Sequence, residues 1–495
     1  MKRICVLLSI TFGLLLFSSC GDWLDVLPKS QMTEEGIFDN EDGYYSALAG
    51  IYVKMADKSA YGKHMTVSSV EIMGQTLSMY QASFIEPYYD QGWFNGLATY
   101  YYERTTRFNQ VEDAITGMWK ASYNAIANAN ELISNLEKQD PSIFEEGARD
   151  VVLGEALALR AYIHFDMLRL FGPLTSELDK ESIPYQTNSD QTVTPLLSGS
   201  EVVGLILDDL KNAVGLLKDT DPYFVEEEFS DTDLNYRRFR MNYFAAKGLM
   251  ARVQLWGGDK EKAAATAKEV IAEGQAEGAE FFPFVTNSEA TSSNPDRVFY
   301  SEVLFGTYHS SREKLHEDLF APTLESTSIL TLAGTARRDD LYDNENDYRY
   351  SVWSTYNKNG TSVLYHRKFE KQDNVTASRQ YMIPLIRMSE MYLIAVECCK
   401  LDEASVYLNT FRNARNCNSL ALTEDNRINI LANEYKKEML GEGQLFFFYK
   451  RQEMVNIPDG NQATGTKNVE LAKYVVPLPE SETDQRISST DISNE

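Results

Sequence analysis

Apolar positions recur every three to four residues through several long stretches of the chain, the spacing of one helix face. Between 113 and 137, Ile115, Trp119, Tyr123, Ile126, Ile133 and Leu136 fall on one side. Val152, Ala156, Leu159, Ile163 and Leu170 do the same between 151 and 170, and Gly172-Pro173 then stops the helix. The spacing returns in two helix pairs, 241–256 with 260–273 and 383–399 with 402–416. Gly257-Gly258-Asp259 links the first pair and Leu401-Asp402 the second. Further helices are predicted at 42–57, 200–218 and 426–440.

Paired helices with small residues at the crossing, here Ala245, Ala246 and Ala264, resemble tetratricopeptide units. Between the helices lie tracts without a period: 59–111, 175–198, 219–238 and 276–380. Irregular segments of this length are uncommon inside a folded chain and often functional. Only "RVFYSEVLFG" at 297–306 reads as a strand. The expected fold class is therefore mostly α: a tetratricopeptide-like helical superhelix with a loop-rich half containing little β structure.

The N-terminus reads as an address. Lys2 and Arg3 precede an apolar run from Ile4 to Phe17, and Ser18, Ser19 and Cys20 follow. That is the layout of a secretory leader. The run has 14 residues, short of the ~20 needed to span a bilayer. A cysteine at the first mature position predicts a bacterial lipoprotein, with 1–19 removed and Cys20 acylated. Phe17 stands where such leaders prefer Leu.

Charge narrows the partners. The 495 residues carry a formal net charge of −26, and loss of the leader removes two more positive charges. Such a surface is repelled by nucleic-acid backbones, so no nucleic-acid partner is expected. Cys398, Cys399 and Cys417 lack zinc-ligand spacing and read as buried free thiols.

Two aromatic clusters fall outside the helical pattern. Residues 80–102 hold nine aromatics in 23 positions, against a chain average of 12%. Pro87, Gly92 and Gly96 break that stretch and argue against one long core helix. Sugar rings stack on flat side chains while amides and carboxylates take their hydroxyls. The best such set is Trp93 with Asn95 and Asp90, joined by Tyr88 and Tyr89. The second cluster is Tyr348, Trp353, Tyr356 and Asn357. Against both stands the tendency of large aromatics to fill cores. Trp119, Tyr123 and Asn130, at helical spacing, are packing residues, with Asn130 hydrogen-bonded across helices.

Catalytic and metal signatures are missing. His316-Glu317 begins an HExxH, but position 320 is Phe. No phosphate loop or G-x-S-x-G elbow occurs. His164, His309 and His366 read as ordinary histidines, and no cofactor or metal is expected. "DNENDY" at 343–348 spaces carboxylates like a calcium loop, yet Tyr348 replaces the required glycine, so a solvated acidic turn is expected.

Five segments in order carry a family resemblance. "CGDWLDVLPKS" with "DNEDGYYSALAGIY" resembles the mature start of SusD/RagB outer-membrane lipoproteins. "MWKASYNAIANANELI" and "GEALALRAYIHFDMLRLFGPLT" resemble two of their helices. "IRMSEMYLIAVECC" with "LNTFRNAR" resembles their C-terminal repeat, and "NEYKKEMLGEGQLFFFYKR" their Glu-rich helix and aromatic strand. The resemblance implies one domain from 20 to 495, with an N-terminal part to about 230 and a C-terminal part from about 240. It also implies a non-enzymatic lid on a SusC-like TonB-dependent transporter that captures an oligosaccharide or a peptide. The lipid on Cys20 would hold it to the outer membrane, facing the exterior. Two other classes remain in view: a surface glycoside hydrolase using an acidic pair, and a tetratricopeptide scaffold for another protein.

Overall fold

A computed structural model describes residues 34–79, 92–103, 109–190, 193–223, 234, 236–325, 328–484 and 486. The helices that build the body are α1 (Glu41–Met55), α2 (Ser69–Met73), α3 (Gly92–Ala98), α4 (Asn109–Lys138), α5 (Ala148–Phe171), α6 (Gly199–Leu217), α7 (Tyr243–Trp256) and α8 (Lys260–Gly274). Later in the chain come β1 (Val303–Tyr308), α9 (Thr335–Leu341), β2 (Trp353–Lys358), β3 (Thr361–His366), α10 (Ala377–Tyr381) and β4 (Met382–Arg387). They are followed by α11 (Met388–Cys398), α12 (Leu401–Ala414), α13 (Arg427–Glu438) and α14 (Gln444–Arg451).

Each of α4 to α8 packs on its neighbour in the chain, α8 then meets α11, and α11 meets α12 and α13. This is the stacking of a helical superhelix, and the protein is mostly α as expected. Local signals start the helices: Asn40, Asn242 and Asp259 accept backbone N–H bonds at their N-termini, and Ser198 with Glu201 forms a capping box. α5 is buried along nearly its whole length. Its Gly154 lets α6 approach closely, since a Cβ there would lie 2.8 Å from Leu217. Lys450 closes its C-terminus by donating to the Gly172 carbonyl at 2.7 Å, with no ion pair to a carboxylate among the described residues. Asn130 crosses as expected, accepting from Arg160 on α5 at 3.0 Å, while Arg160 grips Asp209 on α6 with two 2.7 Å bonds.

Two expectations give way to the structure. The 383–399 segment is not one helix. Its first residues form β4, which pairs antiparallel with β1 and extends that strand to Tyr308. The run Met382–Arg387 is buried at every position, so period alone could not separate strand from helix. The "QLFFFYK" stretch is helix α14, not a strand, because it packs on both α13 and α2 and is buried on all sides.

Residues 294–451 close around charge. Glu434 and Glu438 of α13 lie four apart and share a face, and Glu442 follows. Arg415 grips Glu302 at 2.6 and 2.8 Å and Glu438 at 2.7 and 3.0 Å. Arg387 pairs with Glu438 and Glu442, and Arg349 reaches Asp347 at 2.7 Å, Glu434 at 2.9 Å and Glu438 at 3.2 Å. Burial pushes the Glu438 carboxyl upward, but the guanidinium groups of Arg415 and Arg387 override it and hold it well below the usual range. The expected solvated acidic turn at 343–348 is corrected here: Asp347 is buried on Arg349, and Asp343 pairs with Arg412 and Lys437.

Candidate functional site

The end of α1 and its following turn, residues 236–240, the end of β1 and the start of α10 surround an open groove of about 790 Å³. That lies within the range of ligand clefts. Long-range pairing assembles it. β4 follows α10 directly and pairs with β1, and the His309 N–H donates to the Tyr381 carbonyl at 2.8 Å.

The groove's floor is tied down. The Tyr52 hydroxyl donates to Glu155 at 2.6 Å and accepts from the Met241 N–H at 2.8 Å, while the Arg240 guanidinium lies 4.8 Å from the Tyr52 ring centroid. Glu155 is held by Arg237 at 2.5 Å, and Arg237 in turn forks onto Asp221 at 2.9 and 3.0 Å. The wall is aromatic. Tyr308 meets Phe239 edge-on at 5.4 Å and Tyr381 at 5.2 Å. Tyr236 and Tyr308 stay 57% and 45% exposed, which leaves ring surface available for stacking. Lys58, Asp57, His309, Ser310 and Ser378 add polar groups. Burial holds the His309 imidazole below its ordinary value.

The residues expected from sequence are scattered relative to this groove. Tyr88, Tyr89 and Asp90 lie outside the described residues, as does Cys20. Trp93 and Asn95 sit half-buried on α3. The Lys63 ammonium is 6.0 Å from the Trp93 ring centroid, and neither Trp93 nor Asn95 lines the groove. In the same aromatic run, Phe94 and Tyr100 are core residues.

The second cluster divides. Trp353 is buried, donating to the Tyr342 hydroxyl at 3.2 Å with His366 5.0 Å from its ring, so it is a packing residue. Tyr356 is 44% exposed on the same strand. Residues three apart on a strand point to opposite faces, so the two cannot share one surface. Asn357 serves the hairpin turn by accepting from Gly360 N–H at 2.8 Å.

Sequence reasoning missed Tyr236, Phe239, Tyr308 and Tyr381. They fall within or just beside the irregular tracts 219–238 and 276–380, singly rather than in a run, and the tracts themselves were the available signal. His164, read as an ordinary histidine, is a core residue: its ring stacks on Tyr185 at 4.0 Å and accepts from the Gln186 N–H at 3.0 Å. Among the described residues no group of three His, Cys, Asp or Glu side chains is placed to hold a metal ion. No helix among them is long and apolar enough to cross a membrane.

The fold and groove define a helical-repeat protein with an aromatic cleft built from its loops. Residues 22–255 match the family described as "Starch-binding associating with outer membrane", and residues 294–487 match the SusD family. The chain belongs to the SusD/RagB family. A SusD-like protein of Bacteroides ovatus is 27% identical over 251 residues, half of this chain but only 39% of that relative's length. The solved SusD superfamily protein of Bacteroides thetaiotaomicron is 20% identical, with a TM-score of 0.70, covering 90% of this chain and 97% of that one. Surface glycan-binding protein A of Bacteroides thetaiotaomicron, solved with laminarihexaose, is 14% identical with a TM-score of 0.64, covering 90% of this chain and 97% of its own. These likenesses are of fold.

Proposed function

We propose that the protein captures a nutrient glycan in the groove and passes it to a SusC-like TonB-dependent transporter, held to the outer membrane by a lipid on Cys20. In this reading the leader is 1–19, the remainder is one domain, and the chain performs no catalysis. The observation that carries the reading is the 790 Å³ groove edged by the exposed Tyr236 and Tyr308 rings. A pyranose presents an apolar face that stacks on such rings, and the lysine, histidine and serine groups beside them suit its hydroxyls. Family membership and glycan-binding fold relatives support the choice of ligand class.

Calorimetry against an oligosaccharide panel, with laminarihexaose as the first probe and short peptides alongside, tests it. Tyr308→Ala is expected to weaken glycan binding by ~1–3 kcal/mol, the scale of one lost stacking platform. Unchanged affinity removes Tyr308 from the site. Binding of peptides alone replaces the glycan, and product release from the panel overturns the non-enzymatic reading. For the partner, gentle solubilisation of native outer membranes should co-purify a large barrel in near-equal amount.

A further inference from the structure

A second opening of about 190 Å³ lies between the turn after α2, α9, α13 and the strand segment Thr466–Asn468. It shares no lining residue with the groove. Its polar walls include Thr76, Arg337, Asp340, Asn433, Lys436 and Thr466, with Gln75 already bonded to backbone carbonyls.

The charges in it are unbalanced. Arg337 is only 8% exposed, yet among the described residues its guanidinium has no hydrogen bond and no ion pair. Every other arginine in the neighbouring network, Arg349, Arg387, Arg412 and Arg415, is matched by at least two carboxylates. The Arg337 nitrogens, unlike the Nε atoms of Arg297 and Arg312, are not shut off from solvent, so the charge is presented to the opening. Asp340, on the same short helix, is outside ion-pairing distance. Lys436 donates to the Asn433 side chain at 2.9 Å and makes no ion pair among the described residues, although the Asp340 charge reaches it. Burial, then the Arg337 charge, push its ammonium down to about 8. Among the described residues two cations face the opening with one carboxylate at its edge, a local net charge of one positive unit.

We infer that this pocket binds a singly negative group, a carboxylate or a sulfate ester, carried by a molecule no larger than a single sugar ring. Arg337 supplies the planar fork that matches either oxyanion, and Lys436 supplies a second, point-like cation. The Thr76 and Thr466 hydroxyls and the Asn433 amide suit neighbouring hydroxyls of the ligand. The volume falls below the usual range of clefts for larger ligands, which limits the occupant to one ring. Asp340 disfavours a doubly charged anion.

Calorimetry of the purified protein with galacturonate, galactose 6-sulfate, neutral galactose and inorganic sulfate, each to about 10 mM, reads affinities into the millimolar range. The anionic sugars are expected to bind and galactose is not; whichever anionic sugar binds tighter identifies the group. Arg337→Ala should weaken that binding at least ~tenfold, as loss of a bidentate charged contact does. Lys436→Gln, at a less buried position, should weaken it less, and it keeps the test valid if Arg337→Ala fails to fold. Absence of binding by both anionic sugars overturns the inference. So does binding that survives both substitutions, or inorganic sulfate binding as tightly as the sugar acids.

Discussion

The α4–α8 superhelix and the 294–451 half are both buried, but different forces close them. In the superhelix, Leu159, Ile163, Ile206 and Leu210 are fully buried and neighbouring helices meet mainly through apolar side chains, with Arg160–Asp209 a single buried ion pair between α5 and α6. The other half buries Arg349, Arg387 and Arg415 against Glu302, Glu434, Glu438 and Glu442. An apolar face accepts many partners of about the right size. A buried arginine needs an acceptor in the right place, and pairing with carboxylates joins residues as far apart as Glu302 and Arg415. The groove lies between α1, with the residues just before α7, and the 294–451 half, with Tyr52 from the first and Tyr308 from the second.

The largest effect should come from breaking the charged half. Glu438→Ala leaves Arg387 and Arg415 short of a partner, and urea unfolding should show a loss of ~3–5 kcal/mol. A loss below 1 kcal/mol, on the order of a surface pair, would mean that water screens the network. In the superhelix, Leu159→Ala creates a cavity and should cost ~2–5 kcal/mol, without disturbing the charged half. Equal spread of both effects through the whole protein, read by hydrogen exchange, would erase the distinction.

Acid should separate the halves further. Burial lowers all five histidines: His64 to about 4, His164 to about 3, and His309, His316 and His366 below their ordinary value. The unfolded chain takes up these protons near pH 6.5, so stability falls as pH drops through that value. Glu71 opposes this, because burial raises its carboxyl to about 7 and the folded state gains a proton there first. Five sites against one predict a melting temperature that drops between pH 7.5 and 5. Glu71→Gln should steepen the drop. Below the usual carboxylate range the depressed Glu434 and Glu438 add their own loss, while Glu302, raised by burial, partly offsets it. A melting temperature that is flat from pH 7.5 to 5 would contradict the buried, neutral state of the histidines.

The smallest effect is expected at Tyr356. It is exposed and stands outside the groove, so Tyr356→Ala should change stability by less than ~0.5 kcal/mol and leave glycan affinity as it was. A fall in affinity would return the 353–356 hairpin to the binding surface.

What the amino-acid order determined by itself was local. A 3.6-residue period, a capping serine or asparagine and a Gly-Pro stop act within a turn or two, so α4, α5, α6, α7, α8, α12 and α13 stand close to where the period puts them. The packing role of Trp119, Tyr123 and Asn130 was legible for the same reason. Tertiary structure decided the rest. β4 is a strand because β1, some eighty residues earlier, offers it an edge. Trp353 is core and Tyr356 is surface because a hairpin sets their faces. Tyr236, Phe239 and Tyr308 form one wall only after β1 pairs with β4, since no periodicity links aromatics on separate loops. Arg337 differs from its paired neighbours only in what the folded chain fails to place beside it. Contacts within a few residues are written in the order of the chain, whereas a site whose parts run from Ala49 to Ser378 exists only once the chain has closed.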